Sequence, residues 1–323
     1  MKTITLKPST MKHPARLQPR IPITLFSTLT VFILALAMVL PQARAQEPPV
    51  TAGAGQPEKE APLAESIPKG LRVFTCGNSF HIWVASWLSD MAESAGIKDH
   101  QAGKAWIGSP EVMAALRADK VDVLTMAVNQ HPDDSIEKYA RAGLAANPDF
   151  RVTVQETWIP ADGTWPEEKI RSKFTREDFN KATGDSLRKL HAPYFKEFDE
   201  SIRQLNQKLG KQVVFVAPVG QAVIALREKV IAGQAPAVES QSDIFVAADG
   251  LPNVQLQALT TYCHYAVIYH RCPVGLPLPL DMQKTELDQT ALNRLLQEIA
   301  WDAVTHHPLS GMTADTSAKA AAK

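Results

Sequence analysis

The sequence predicts an α/β protein: a three-layer, doubly wound parallel sheet carrying a helical insertion. Two observations predict it. Short apolar runs alternate with amphipathic, helix-length segments over most of residues 71–310. Such alternation builds a parallel sheet with helices on both faces. Polar turn signals also follow the first apolar runs, and ligands of such sheets bind at the carboxyl ends of the strands.

The elements follow in order. Residues 71–76 (LRVFTC) form a short apolar run closed by Gly77-Asn78-Ser79. Residues 82–95 place Trp83, Trp87, Leu88 and Met91 on one helical stripe, and Gly96 is the stop. Residues 104–107 read as a second strand. Pro110 then suits the first turn of a helix reaching Ala118. Residues 121–127 (VDVLTMA) read as a buried strand, and 133–146 as a helix with Asp133 and Asp134 at its positive end. Residues 151–157 (RVTVQET) alternate as a strand. Residues 162–210 are densely charged with helical periodicity and read as a helical insertion or lid. A strand at 211–217, a helix at 220–232, an apolar run at 243–248 leading to Asp249, and helices at 254–270 and 287–304 complete the unit.

The formal charge is zero, with 34 Lys+Arg against 34 Asp+Glu, and the chain is 45% hydrophobic. Six of the basic residues (Lys2, Lys7, Lys12, Arg16, Arg20, Arg44) lie in residues 1–45, which hold no acid. An uncharged stretch at 23–40 follows, then small residues at Ala43 and Ala45. This order is that of a secretory signal peptide cut after Ala45, which places the protein outside the cytoplasm, secreted or periplasmic. An uncleaved membrane anchor over 23–40 is the alternative. The remainder carries (34 − 6) − 34 = −6 charges, which argues against nucleic acid as a partner. Residues 46–70 read as a flexible linker and 311–323 as a frayed tail. The three cysteines, Cys76, Cys263 and Cys272, allow at most one bridge. Burial as small apolar side chains is the plainer reading of Cys76 and Cys263.

Four polar blocks fall on one predicted rim: Gly77-Asn78-Ser79-Phe80, Ile107-Gly108-Ser109, Ala127-Val128-Asn129 and Asp249-Gly250-Leu251. Ser79, at a strand-to-helix turn, is placed as a nucleophile. The backbone N–H groups of Ser79 and Gly108 and the Asn129 amide would converge on an oxyanion. Taken singly, each block has a plainer reading: Ser79 and Asn129 as helix caps or turn residues.

In this order, the blocks resemble the SGNH hydrolases, also called the GDSL esterase family. There a Gly-Asp/Asn-Ser block follows the first strand, a Gly matches Gly108, and a Gly-x-Asn block stands where Ala127-Val128-Asn129 stands here. A final Asp-x-x-His block matches Asp249. The stretches KVDVLTMAVNQHPDD, NPDFRVTVQETWIP and YCHYAVIYHRCPVGLP are similar to a poorly characterised secreted bacterial branch. The resemblance implies a flavodoxin-like fold and a serine esterase or deacetylase acting on an ester, such as an acylated carbohydrate, without cofactor or metal.

Two departures stand out. Ala127 replaces a glycine. More seriously, Pro252 stands three residues after Asp249, where the family has its base His. His131, two residues past Asn129, is the substitute on the same rim, with a loop or capping role as its plainer reading. His264, well along its helix, reads as a core residue. The alternative to an esterase is therefore a catalytically degenerate protein of the cell envelope that binds a glycan or acyl group. The aromatics Trp106, Trp158, Trp165 and Tyr194 would line a sugar surface or, more plainly, pack in the interior.

Overall fold

The structure is a computed structural model describing residues 63–129, 131–163, 173–284 and 288–312. The signal or anchor segment, residues 46–62 of the linker, Trp165 and most of the tail lie outside the described residues. Five strands form one sheet: β1 (Arg72–Gly77), β2 (Gln101–Trp106), β3 (Val123–Met126), β4 (Arg151–Gln155) and β5 (Val214–Ala217). Every pairing is parallel, in the order β2-β1-β3-β4-β5. This is the flavodoxin-like doubly wound arrangement, whose chain direction across the sheet switches between β1 and β3. The central strands are apolar and buried on both faces, whereas the edge strand β2 (QAGKAW) is largely exposed and carries Lys104. A charged, poorly apolar edge resists pairing with other chains.

Helices cover both faces. On one side lie α1 (Val84–Ser94), α5 (Val219–Ile231), α6 (Val254–Tyr269) and α7 (Thr290–His306), sharing a core with Trp87, Leu226, Tyr262 and Leu296. On the other lie α2 (Pro110–Arg117), α3 (Asp134–Ala146) and α4 (Gly184–Leu209), packed through Leu116, Ile136, Phe198 and Ile202. Helix α6 is buried nearly all round, with apolar side chains distributed over all its faces. Its N-cap is Asn253, whose Oδ1 accepts from Leu256 N–H at 3.0 Å.

The charged segment expected as an insertion divides in two. Its second half is α4, which lies on the sheet and supplies the crossover that parallel neighbours β4 and β5 require. Only the stretch before it, with single turns Pro160–Gly163 and Arg176–Lys181, is inserted material. That stretch is tied down by Arg227 of α5. Its guanidinium donates to both Asp162 oxygens at 2.6 and 2.7 Å and to Gln241 Oε1 at 2.8 Å, and lies over the Phe179 and Phe245 rings.

Beyond α7 the chain turns back along β5, where Val216 N–H donates to the Leu309 carbonyl at 2.9 Å. The three cysteines are free: Cys76 and Cys263 are buried and Cys272 is exposed. A Cys263–Cys272 bridge is therefore not formed. Burial pushes the Cys76 thiol up to about 12, as befits an unreactive core residue. Among the described residues, no helix is long and apolar enough to cross a membrane.

Candidate functional site

A cavity of ≈ 400 Å³ opens at the carboxyl ends of β1, β3 and β4, at the switch point of the sheet. Its lining includes Asn78, Phe80, Val128, Asn129, Thr157 and Asp249. Residues of three of the four expected blocks thus meet in one place, but Ser79, the expected nucleophile, does not line the cavity.

The first block is shaped by a tight turn. The Asn78 Oδ1 accepts from Phe80 N–H at 3.0 Å, and the Asn78 carbonyl accepts from His81 and Ile82 N–H at 3.1 and 2.9 Å. A Cβ at Gly77 would stand 3.0 Å from the His81 side chain, so any larger residue would press on that ring. The turn delays α1, whose first residue is Val84, so Ser79 neither caps the helix nor sits at its N-terminus. Ser79 is exposed, and among the described residues nothing hydrogen-bonds its hydroxyl. Its carbonyl accepts from Trp83 Nε1 at 3.1 Å.

Asn129 follows β3. Its Oδ1 accepts from Asn78 Nδ2 at 3.3 Å. That bond turns the Asn129 NH₂ away from Asn78 and leaves it as a donor. Asp133, not Asn129, caps α3, accepting from Ser135 N–H at 2.8 Å. Asp249 is part-buried at the cavity wall. One of its oxygens accepts from Leu251 N–H at 3.0 Å. Below it, the buried Trp158 donates to the Gly250 carbonyl at 3.2 Å and lies 5.6 Å from the Phe80 ring, joining the Asp249 loop to the first block.

Two expected members of the site are occupied elsewhere. Gly108 has φ +83 and no atom crowding it, as a close approach would need, but its N–H donates to the Tyr139 hydroxyl at 3.3 Å and it does not line the cavity. His131 does not face Ser79. Its ring stands edge-on to Tyr194 at 5.7 Å, with Nδ1 3.9 Å from Glu197, so it packs on α4.

Every other described histidine is likewise engaged away from Ser79. His100 meets the Tyr269 hydroxyl, and His191 bonds the Leu187 carbonyl and Ile159 N–H. His270 meets the Glu65 carbonyl and Arg151, His306 bonds the Asp302 carbonyl, and His307 accepts from Leu309 N–H. His81 and His264 bond Gln155 and Thr125 in the interior.

One cluster has the composition of a metal site. Glu156, Asp199 and His307 bring ligand atoms within 4.8 Å of one another. Burial and the nearby Asp199 carboxylate push the Glu156 carboxyl well above its ordinary range. The His307 Nδ1 accepts from Leu309 N–H at 3.2 Å, so the neutral ring carries its hydrogen on Nε2, the atom 3.3 Å from Asp199 Oδ1. A cation would need a lone pair on that nitrogen. In that tautomer Nε2 offers a cation no lone pair, and among the described residues Nε2 and Asp199 Oδ1 lie buried 3.3 Å apart without a hydrogen bond between them.

Of the aromatics, Trp158 and Tyr194 are buried and pack in the interior, while Trp106 is 58% exposed on the edge strand. The sequence reading missed Phe80 and Thr157 as cavity walls and Asn78 as the partner of Asn129. The Gly-Asn-Ser-Phe run was the available signal for two of them.

No family model matches the chain, and no curated protein matches it. Among solved structures it is similar to a DUF4886 family protein from Bacteroides uniformis, at 14% identity and a TM-score of 0.44, over 75% of this chain and 96% of that one.

Proposed function

We propose that the protein is a binding protein of SGNH type that holds the acyl or sugar part of a small ligand in the switch-point cavity, without the base that ester hydrolysis needs. The observation that carries this reading is the placement of the histidines. None of those described pairs with Ser79, while the Asn129 amide and the Asp249 carboxylate converge on a cavity walled by Phe80 and Val128. An apolar pocket with a few convergent polar groups is a default ligand site. Without a general base, a serine hydroxyl is a poor nucleophile, and only the residual rate of oriented donors is left.

A second reading, a slow serine esterase, is favoured by one observation: among the described residues the Ser79 hydroxyl is exposed and unengaged, one residue along the turn from Asn78, the partner of Asn129. The two readings separate in one experiment. The full chain and Ser79→Ala are compared for p-nitrophenyl acetate turnover, and ligand-observed NMR records binding of acetylated sugars to wild type, Asn129→Ala and Asp249→Ala. The binding reading expects equal background turnover and saturable binding weakened by the last two changes. Turnover lost with Ser79→Ala would replace it with the esterase.

The basic-then-apolar N-terminus supports export to the cell envelope. N-terminal sequencing of the exported protein should begin at Gln46; retention of residue 1 would support the anchor.

A further inference from the structure

Beneath the cavity lies a closed ring of four buried polar side chains. Gln155 Oε1 meets His81 Nδ1 at 2.8 Å and His264 Nε2 at 3.3 Å. Thr125 Oγ1 meets the opposite nitrogens, His81 Nε2 at 3.2 Å and His264 Nδ1 at 3.0 Å. All four residues are essentially inaccessible to solvent, and the two imidazoles stand edge to face at 4.8 Å. The residues come from β3, β4, α6 and the turn before α1.

Counting hydrogens exposes a shortage. Each neutral imidazole has one N–H, Thr125 has one O–H, and the Gln155 oxygen has none. The ring thus has three hydrogens for four contacts. Whichever tautomers are chosen, one contact sets two acceptors face to face. A buried unsatisfied polar contact is costly.

Two changes close the ring. One is a single added proton, which gives one imidazole a second N–H. The other is a half-turn of the Gln155 amide. Its NH₂ would then donate to both imidazoles and both imidazoles to Thr125, whose own hydroxyl hydrogen would need an acceptor outside the ring. Its register partners Thr75 and Thr153 on β1 and β4 have buried hydroxyl oxygens with no partner among the described residues.

The amide cannot turn without consequence. As it stands, Gln155 Nε2 donates to the Thr157 hydroxyl at 2.6 Å and to the Phe80 carbonyl at 3.3 Å. After the turn, Thr157 can donate back to the oxygen, but the Phe80 carbonyl loses its donor and faces an acceptor. Phe80 and Thr157 both line the cavity.

We propose that this ring is a one-proton switch: proton uptake by the His81–His264 pair selects the Gln155 orientation that grips the Phe80 carbonyl, and proton loss releases it. The proposal does not rest on what the cavity binds. The groups facing the two rings are Thr125, Gln155 and each other, and no charged side chain of a neighbouring element acts on either. Burial lowers both imidazoles, His81 to about 4, so the transition lies below the ordinary histidine value of 6.5. The charge of the first proton then opposes a second.

The test is imidazole ¹⁵N NMR of the full chain during acidification from pH 8. At high pH, His81 should carry its hydrogen on Nε2 and His264 on Nδ1. On acidification, both should change together in one step, with one proton bound by the pair, while His81 Nδ1 and His264 Nε2 become protonated. The backbone amide of His81, which shares the peptide plane of the Phe80 carbonyl, should shift with the same midpoint. His264→Phe leaves two contacts and two hydrogens, so His81 should keep one tautomer throughout. Gln155→Glu should raise the pair's midpoint and uncouple the His81 amide from it. Independent titration of the two rings, unchanged tautomers, or unfolding before any uptake would each overturn the switch.

Discussion

At the scale of single residues, what matters is which polar groups are left with work to do. Among the described residues Ser79 has no hydrogen-bond partner for its hydroxyl, and it is exposed. Ser79→Ala should therefore leave stability within about 0.5 kcal/mol of wild type in urea unfolding, so any loss of turnover in that variant would report chemistry and not folding. Arg227 is the opposite case. Its side chain is 2% exposed and pairs in bidentate fashion with an Asp162 that is 14% exposed. Arg227→Ala would strand that carboxylate and remove the cation between two phenylalanines. Breaking a buried pair from one side costs about 3–5 kcal/mol, and the denaturation midpoint should fall accordingly. A loss below about 1 kcal/mol, the range of surface pairs, would show that the inserted turns are held by other contacts.

The residues of the site were legible to different degrees for physical reasons. Asn129 and Asp249 announced themselves because polar side chains just after apolar runs have little else to pack against. The occupation of Gly108 by Tyr139, a residue 31 positions away, follows only from how α3 lies on the sheet. No local pattern carries it. The same holds for Gln155: within RVTVQET it looks like an ordinary strand position, and its distant partners come from the turn before α1 and from α6.

At the scale of elements, strands and helices were readable because their periodicities are local. The dense charge on the exposed face of α4 is what makes residues 162–210 read as a helical insertion or lid. The buried stripe of the helix, Leu187, Tyr194, Phe198 and Ile202, is what seats it on the sheet. Helix α6 shows the reverse dependence, in which an element buried on all sides relies on its end to fix its entry. Asn253 caps that end and also donates from Nδ2 to the Asp243 carbonyl at 2.6 Å. Asn253→Ala should cost about 1–2 kcal/mol, seen as a lower urea midpoint with an unchanged helical circular-dichroism spectrum. An unchanged midpoint would mean that packing alone sets the start of α6.

At the scale of the whole molecule, the cluster of Glu156, Asp199 and His307 joins the end of β4, helix α4 and the segment beyond α7, so its protonation bears on the stability of the entire fold. The Glu156 carboxyl is raised, first by burial and then by Asp199, against a smaller opposing bond from Gln221 at 3.1 Å. A raised carboxyl means that the folded state holds the proton more tightly than the unfolded chain does. Its stabilising contribution is complete below the unfolded value near 4.5 and is lost as pH climbs from there through the folded value. Glu156→Gln keeps the shape and the acceptor for Gln221 but never ionises. The stability difference between variant and wild type should therefore grow in the variant's favour as pH rises above 4.5. At neutral pH the variant should melt a few degrees higher, the shift that about 1 kcal/mol produces in a domain of this size. A cation held by the three groups would reverse the outcome: the wild type would be the more stable protein at neutral pH, and a chelator would erase its advantage. Melting curves of both proteins across pH, with and without EDTA, decide between a proton and a metal at the junction of the three elements.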